Sequence, residues 1–171
     1  MAMESLHDLM VEELRDIYNA EKQLLKALPK MARAATHPML KKGFETHLAE
    51  TERQVERLEK VFENLGKRAA GKKCKAMEGL IEEASELLEK SDSIPEAVMD
   101  AALIAAAQKV EHYEICAYGC IITYAETMGH DQVVKLLKQT IAEEEATDEK
   151  LTGLAESEIN EMAMAGAMEE E

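Results

Sequence analysis

The sequence predicts an all-α protein: a bundle of two antiparallel helical hairpins, joined by a long crossover that carries a short extra helix. Three observations predict it. The chain is rich in Ala, Leu, Glu, Lys and Met, with 3 Pro, no Trp and 4% aromatic residues, a composition that favours helices over strands. Four long segments place apolar residues in alternating steps of three and four, the spacing of one buried helical face. The segments are separated by two tight turns and one long polar stretch, which sets the connectivity.

The first helix is expected from Ser5 or Leu6 to about Ala34, with Ser5 and Asp8 forming a capping box. Met10, Leu14, Ile17, Glu21, Leu24, Leu28 and Met31 form its inner line, and Pro29 predicts a kink or irregularity near its end. Thr36-His37-Pro38 reads as turn, cap and first turn of a second helix, which ends at Asn64-Leu65-Gly66. Its core line is Leu40, Phe44, His47, then Glu50 or Thr51, Gln54, Leu58, Val61 and Leu65.

Residues 66–93 begin as a basic connector and continue as a short amphipathic helix on Met77, Leu80, Ile81, Ala84, Leu87 and Leu88. Ser93-Ile94-Pro95-Glu96 predicts the start of the third long helix, with Ser93 as cap. That helix runs to about Met128, and Ala107, Glu111, Glu114, Tyr118, Ile121, Ala125 and Met128 share its inner face. Gly129-His130-Asp131 supplies a stop and a new N-cap. The fourth helix follows, with Val134, Leu137, Ile141, Glu144, Asp148, Leu151 and Ala155 on its inner line. The domain is expected to span 1–157, with 158–171 a frayed acidic tail. Two hairpins and a long crossover make the topology of a ferritin-type four-helix bundle.

Every apolar line is broken near its middle by a polar residue. Counted from the first turn, Glu21 and Glu50 reach the same depth to within one residue; so do Glu114 and Glu144 from the second turn, while Glu111 and Asp148 lie one layer further in. Acids from all four helices thus converge on one level of the core. A single such Glu could be a boundary residue, but uncompensated burial of several costs a few kcal/mol per ion. They either share protons with raised pKa values or coordinate two hard or borderline cations. Two Fe ions are the first choice, Mn the alternative and Zn less favoured. His47, three residues before Glu50, is a ligand, an orienting group or a hydrogen-bonded core histidine. Tyr118 either hydrogen-bonds a ligand carboxylate or packs, and His112 sits one step off the buried stripe. The 11 Met fit packing better than iron or manganese ligation, since thioethers are soft ligands.

The formal net charge of -15, from 35 acidic and 20 basic residues, disfavours nucleic acid and anionic membranes as partners. No apolar run is long enough to span a membrane, and the N-terminus lacks a secretory pattern, so a cytoplasmic location is expected. Cys74, Cys116 and Cys120 are read as reduced thiols.

The segments DIYNAEKQLLKALPKMA, HLAETERQVERLE, AALIAAAQKVEHYEICAYG and EEEATDEKLTGLA, with KCKAMEGLIEEA in the crossover, resemble the YciF-like family of bacterial ferritin-like stress proteins over nearly the whole chain. The resemblance implies a ferritin-like fold, a homodimer, a proposed dinuclear metal centre and a link to stress responses. The wider superfamily uses one Glu on each of two helices and Glu-x-x-His on the other two. Glu21 and Glu111 match the lone acids. Glu50 is followed three later by Arg53 rather than His, leaving His47 or Gln54 for that role. Glu144 is followed by Thr147 and Glu145 by Asp148, of which Asp148 lies on the inner stripe. These departures suggest a carboxylate-rich site like a ferroxidase centre.

The leading expectation is therefore a dinuclear iron or manganese protein acting on Fe(II), O2 or peroxide. Glu21, Glu50, Glu111 and Glu144 are the primary ligands; Glu114, Asp148 and His47 complete or tune the site. Whether it turns over as a ferroxidase-like or peroxide-consuming oxidoreductase is left open. The alternative is a metal-free helical adaptor or assembly protein in a stress response.

Overall fold

The computed structural model describes residues 3–168, and side chains as far as residue 165. The four long helices are α1 (Leu6–Ala34), α2 (Pro38–Asn64), α4 (Glu96–Thr127) and α5 (Asp131–Leu154), with the crossover helix α3 (Lys75–Glu89) between the two pairs. Each α1–α2 and α4–α5 pair packs as a hairpin; α2 then packs on α5 and α1 on α4, so α2 and α4 occupy opposite corners. This is the ferritin-type arrangement that the two short turns and one long connection require. Among the described residues no helix is long and apolar enough to cross a membrane.

The inner line of α1 is buried from Met10 to Met31, including Glu21. Ser5 caps the helix, its Oγ accepting from the Asp8 amide at 3.1 Å. The helix continues as α-helix through Pro29 to Ala34. The chain leaves α2 and α4 through glycines with positive φ, Gly66 (63°) at the start of the crossover and Gly129 (72°) in the α4–α5 turn, a conformation that costs L-residues a Cβ clash.

The turn into α2 is held from across the bundle. The buried Asp100 on α4 accepts from the Thr36 amide (2.9 Å), the Thr36 hydroxyl (2.6 Å) and the His37 amide (2.8 Å). Asp100→Ala leaves those donors unpaired beneath the turn and is expected to lower the free energy of unfolding by about 2–3 kcal/mol. Urea titration checks it; a change below half a kcal/mol contradicts it.

Four local expectations change. The cap of α4 is Pro95, not Ser93; Ser93 closes a short 3-10 turn and its hydroxyl bonds the Lys90 carbonyl at 2.8 Å. The line buried on α5 is Val133, Leu137, Thr140, Glu144 and Leu151, so Val134, Ile141 and Asp148 sit at its edge. On α2, Thr51 rather than Glu50 takes the fully buried position, its hydroxyl satisfied by the His47 carbonyl at 2.9 Å. The segment expected to fray from 158 is helical as far as described: a π turn (Ala155–Ile159) leads into α6 (Asn160–Met168), which packs on α4. The π turn absorbs one residue, which returns Ile159, 1% exposed, to the face of Leu151. Residues 169–171 lie outside the described part.

Candidate metal centre

The four long helices bring polar side chains to a common level in the core. α1 supplies Glu21, α2 supplies His47, Thr51 and Gln54, α4 supplies Glu111 and Glu114, and α5 supplies Glu144; all are buried. One ligand-type atom each from His47, Glu111, Glu114 and Glu144 lies within 4.8 Å of the others. Glu111 and Glu114 are three apart on α4 and so project side by side.

Several of these groups are fixed from one side only. Tyr118 donates its hydroxyl to Glu21 Oε1 in a short bond, and Gln54 Nε2 donates to Glu144 Oε1 in another. Glu21 Oε2, Glu144 Oε2, Glu111 Oε2 and both oxygens of Glu114 find no donor among the described residues. His47 Nε2 stands 3.2 Å from Glu111 Oε1, yet neither ring nitrogen is in hydrogen-bonding geometry. Buried polar atoms are nearly always partnered, so a group of carboxylate oxygens and one imidazole left bare at a common point fits a cation. Carboxylate and imidazole are also the donor set that iron and manganese take.

Without a cation, burial favours the protonated form of these acids. Burial, reinforced by neighbouring Glu144, pushes the Glu21 carboxyl well above the ordinary range. Burial raises Glu114 and Glu144 likewise, and Glu111 to about 8. Burial lowers His47 to about 4, which leaves its imidazole neutral and available as a ligand at neutral pH.

The other expected site residues stand further out. Glu50 is partly exposed, with Oε2 4.0 Å from His47 Nδ1. Asp148 turns to the rim, accepting from Gln108 Nε2 at 3.0 Å and lying 3.3 Å from the exposed His112. Neither belongs to the closely spaced group. Both still act on it by charge, since each contributes to the raised pKa of Glu111. Glu145 is exposed.

Comparison with known proteins places the chain in a family. Residues 5–164 match the family described as "Domain of unknown function (DUF892)". The chain belongs to that family. Within it, protein YciF of Escherichia coli K12 is 49% identical over 164 residues, 95% of this chain and 98% of YciF. The crystal structure of the E. coli stress protein YciF superposes with a TM-score of 0.88 at 50% identity, covering 92% of this chain and 99% of that one. YcfI from Rhodopseudomonas palustris, whose descriptive name suggests a structural protein, gives 0.84 at 46% identity, covering 88% and 94%. A Xanthomonas campestris protein at 20% identity and TM-score 0.74 shares the fold alone.

In this DUF892 chain one feature of the site escaped the sequence reading. The Arg57 guanidinium, on the same edge of α2 as Gln54, forks onto both Glu143 oxygens at 3.0 Å and donates to Thr140 Oγ1 at 2.6 Å. Gln54 bridges Glu143 and Glu144, so this network orients Glu144 from behind. The signal was the spacing Glu50, Gln54, Arg57, in which a long cation follows a buried amide by three residues.

Proposed function

We propose that the chain is a dinuclear metal-binding protein of the stress-related kind, with iron as the preferred metal and manganese the alternative. The observation that supports it best is the group His47, Glu111, Glu114 and Glu144, buried, mutually within 4.8 Å and largely without hydrogen-bond donors. Glu21, beside them and held by Tyr118, completes the ligand set. Bound there, a pair of iron ions supplies redox chemistry toward O2 or peroxide. The protein's own part is to bind and to tune. Gln54 and Tyr118 fix one oxygen of Glu144 and of Glu21, leaving the other free to ligate. Apolar packing excludes bulk water, and the negative cluster offsets cation charge. Glu50 lies close enough to compensate a change in that charge. The reading includes a homodimer and a cytoplasmic location, and a stress role as in E. coli YciF.

Freshly purified protein is expected to carry about two equivalents of iron or manganese. Fe(II) added anaerobically should develop near-ultraviolet ferric absorbance when O2 or peroxide follows. Protein that retains no metal and shows no such absorbance ends this reading.

One observation favours a second reading, the metal-free helical adaptor. Raised pKa values allow the acids to persist as neutral, proton-sharing groups, and the name of the R. palustris relative points the same way.

A further inference from the structure

A hollow of about 440 Å³ lies between α1 and the start of the crossover, within the size range of small-molecule sites, roughly 300–1,000 Å³. Three charged side chains line it, Lys22 and Lys26 from α1 and Arg68 from the connector. Among the described residues no acid lines it, although acids outnumber bases 35 to 20 along the chain. The groove between α2 and α5 differs: there Glu50, Glu111 and Glu158 stand beside Lys42 and Lys150. Cations in the last turn of a helix complement its dipole. Lys22 and Lys26 stand more than two turns before the end of α1 at Ala34, so the dipole does not account for them.

The wall of the hollow is held in place by contacts of its own. A Cβ added to Gly71 would stand 3.0 Å from Asn19 Cβ, so the connector's backbone is seated hard against α1; Gly43, Gly79 and Gly153 meet nothing within 4 Å. Arg15 Nε donates to the Ala70 carbonyl at 3.2 Å, and the Lys72 amide donates to the Arg15 carbonyl at 2.9 Å. Asn19 Oδ1 accepts from Gln23 Nε2 and from the Cys74 amide, each at 2.8 Å. That leaves the Asn19 NH2, beside Gly71, as a free donor on the wall. Lys22 Nζ is held over the Tyr18 ring, 5.1 Å from its centroid. Glu59, outside the lining, accepts the Tyr18 hydroxyl at 2.8 Å.

We propose that this hollow binds the phosphate chain of a small oligophosphate, free or as the tail of a nucleotide. A lining whose only charges are positive selects an anion. Lys22 and Lys26 are one helical turn apart, about 5.4 Å along the axis, a step that two or three linked phosphates bridge and a single sulfate or phosphate does not. Arg68 stands on the connector's side, where its planar fork suits phosphate oxygens. The net charge of -15 repels long polyanions, so the occupant is small rather than a nucleic acid. None of these residues belongs to the proposed metal centre, and the site does not depend on it.

The experiment is calorimetric titration of the full chain in chelator, so that no metal holds the phosphates, with tripolyphosphate, ATP, inorganic phosphate, citrate and a short single-stranded DNA. Tripolyphosphate is expected to bind saturably, at least about tenfold tighter than inorganic phosphate or citrate. ATP of equal affinity supports the free chain as the group recognised; ATP that binds tighter supports the nucleotide as its source. Lys22→Gln with Lys26→Gln should weaken tripolyphosphate at least about tenfold and leave the thermal midpoint unchanged, since both positions are exposed. Arg68→Gln, from the other side, should weaken it as well. Lys41→Gln with Lys42→Gln on α2 should leave it unaltered. No saturable binding, equal affinity for citrate, indifference to the Lys22, Lys26 and Arg68 variants, or an equal loss in the α2 control overturns the proposal. So does DNA that binds tighter than tripolyphosphate, for then this face is a nucleic-acid surface.

Discussion

Raising the pH of the metal-free protein from about 6.5 to 9 is expected to lower its thermal midpoint on the order of ten degrees, and bound metal should abolish the decline. Glu111, raised from an ordinary 4.5 to about 8 by burial, binds its proton more tightly folded than unfolded. Such a group stabilises the fold fully below its unfolded value, and that stability drains away as pH climbs through the folded one. Glu21, Glu114 and Glu144 are raised as well, again chiefly by burial, and act with the same sign. His47 acts with the opposite sign. Lowered from 6.5 to about 4, it contributes in full above 6.5 and is lost as pH falls through 4. Below 6.5 the terms therefore oppose one another; above it the carboxyls act alone.

Each pKa unit is worth about 1.4 kcal/mol, so between pH 6.5 and its folded value of about 8 Glu111 alone loses about 2 kcal/mol out of the 5–15 typical of a domain, and Glu21, Glu114 and Glu144 add to that loss. At this chain length each kcal/mol moves the midpoint by about 2–4 °C. Circular-dichroism melts in chelator at closely spaced pH values measure it, and a flat profile from 6.5 to 9 contradicts it. With Mn(II) in excess the slope should vanish or reverse, because ligation needs the deprotonated forms that high pH supplies.

The acids behind this behaviour were visible in the sequence because helical phase is a strict constraint. Glu111, Glu114 and Tyr118 cannot leave the stripe of Ala107, Ile121 and Ala125 without exposing it, and all three are buried. Glu21 is caught in the same way between Ile17 and Leu24. Choices between neighbours were not visible. Glu50 and Thr51 differ by one step of the helix, and what separates them is that Thr51 can satisfy its hydroxyl on its own helix at the His47 carbonyl, whereas a second carboxylate there could not. Asp148 has the inner spacing of Glu144, but Gln108 and Thr152 offer a polar rim, and its short side chain turns outward. Arg57 and Glu143 look like any surface charges until α2 and α5 are docked. The π turn that returns Ile159 to the core leaves no mark in composition, and the acidic, Met-rich tail was therefore expected to fray.

Glu111→Gln is expected to separate the two functional readings, with opposite effects on stability and on metal. Glu111 touches His47 Nε2, lines the groove between α2 and α5 and lies within reach of Glu21, Glu144 and Asp148. Gln keeps its shape and removes its ionisation. In metal-free protein at pH 8–9 the substitution deletes a buried charge that nothing compensates, so stability should rise by a few kcal/mol and the decline with pH should flatten. Its amide also gives the bare oxygens nearby a donor. Metal uptake should fall at least tenfold, since an amide oxygen is a weaker ligand than a carboxylate and the site loses one negative charge. In excess Mn(II) the order of stabilities therefore reverses, with the wild type now above the variant. The adaptor reading predicts the same gain without metal but no reversal with it. Melting both proteins with chelator and with metal decides between them: a variant that stays the more stable in both conditions removes the metal centre from this bundle and leaves its acids as protonated core residues.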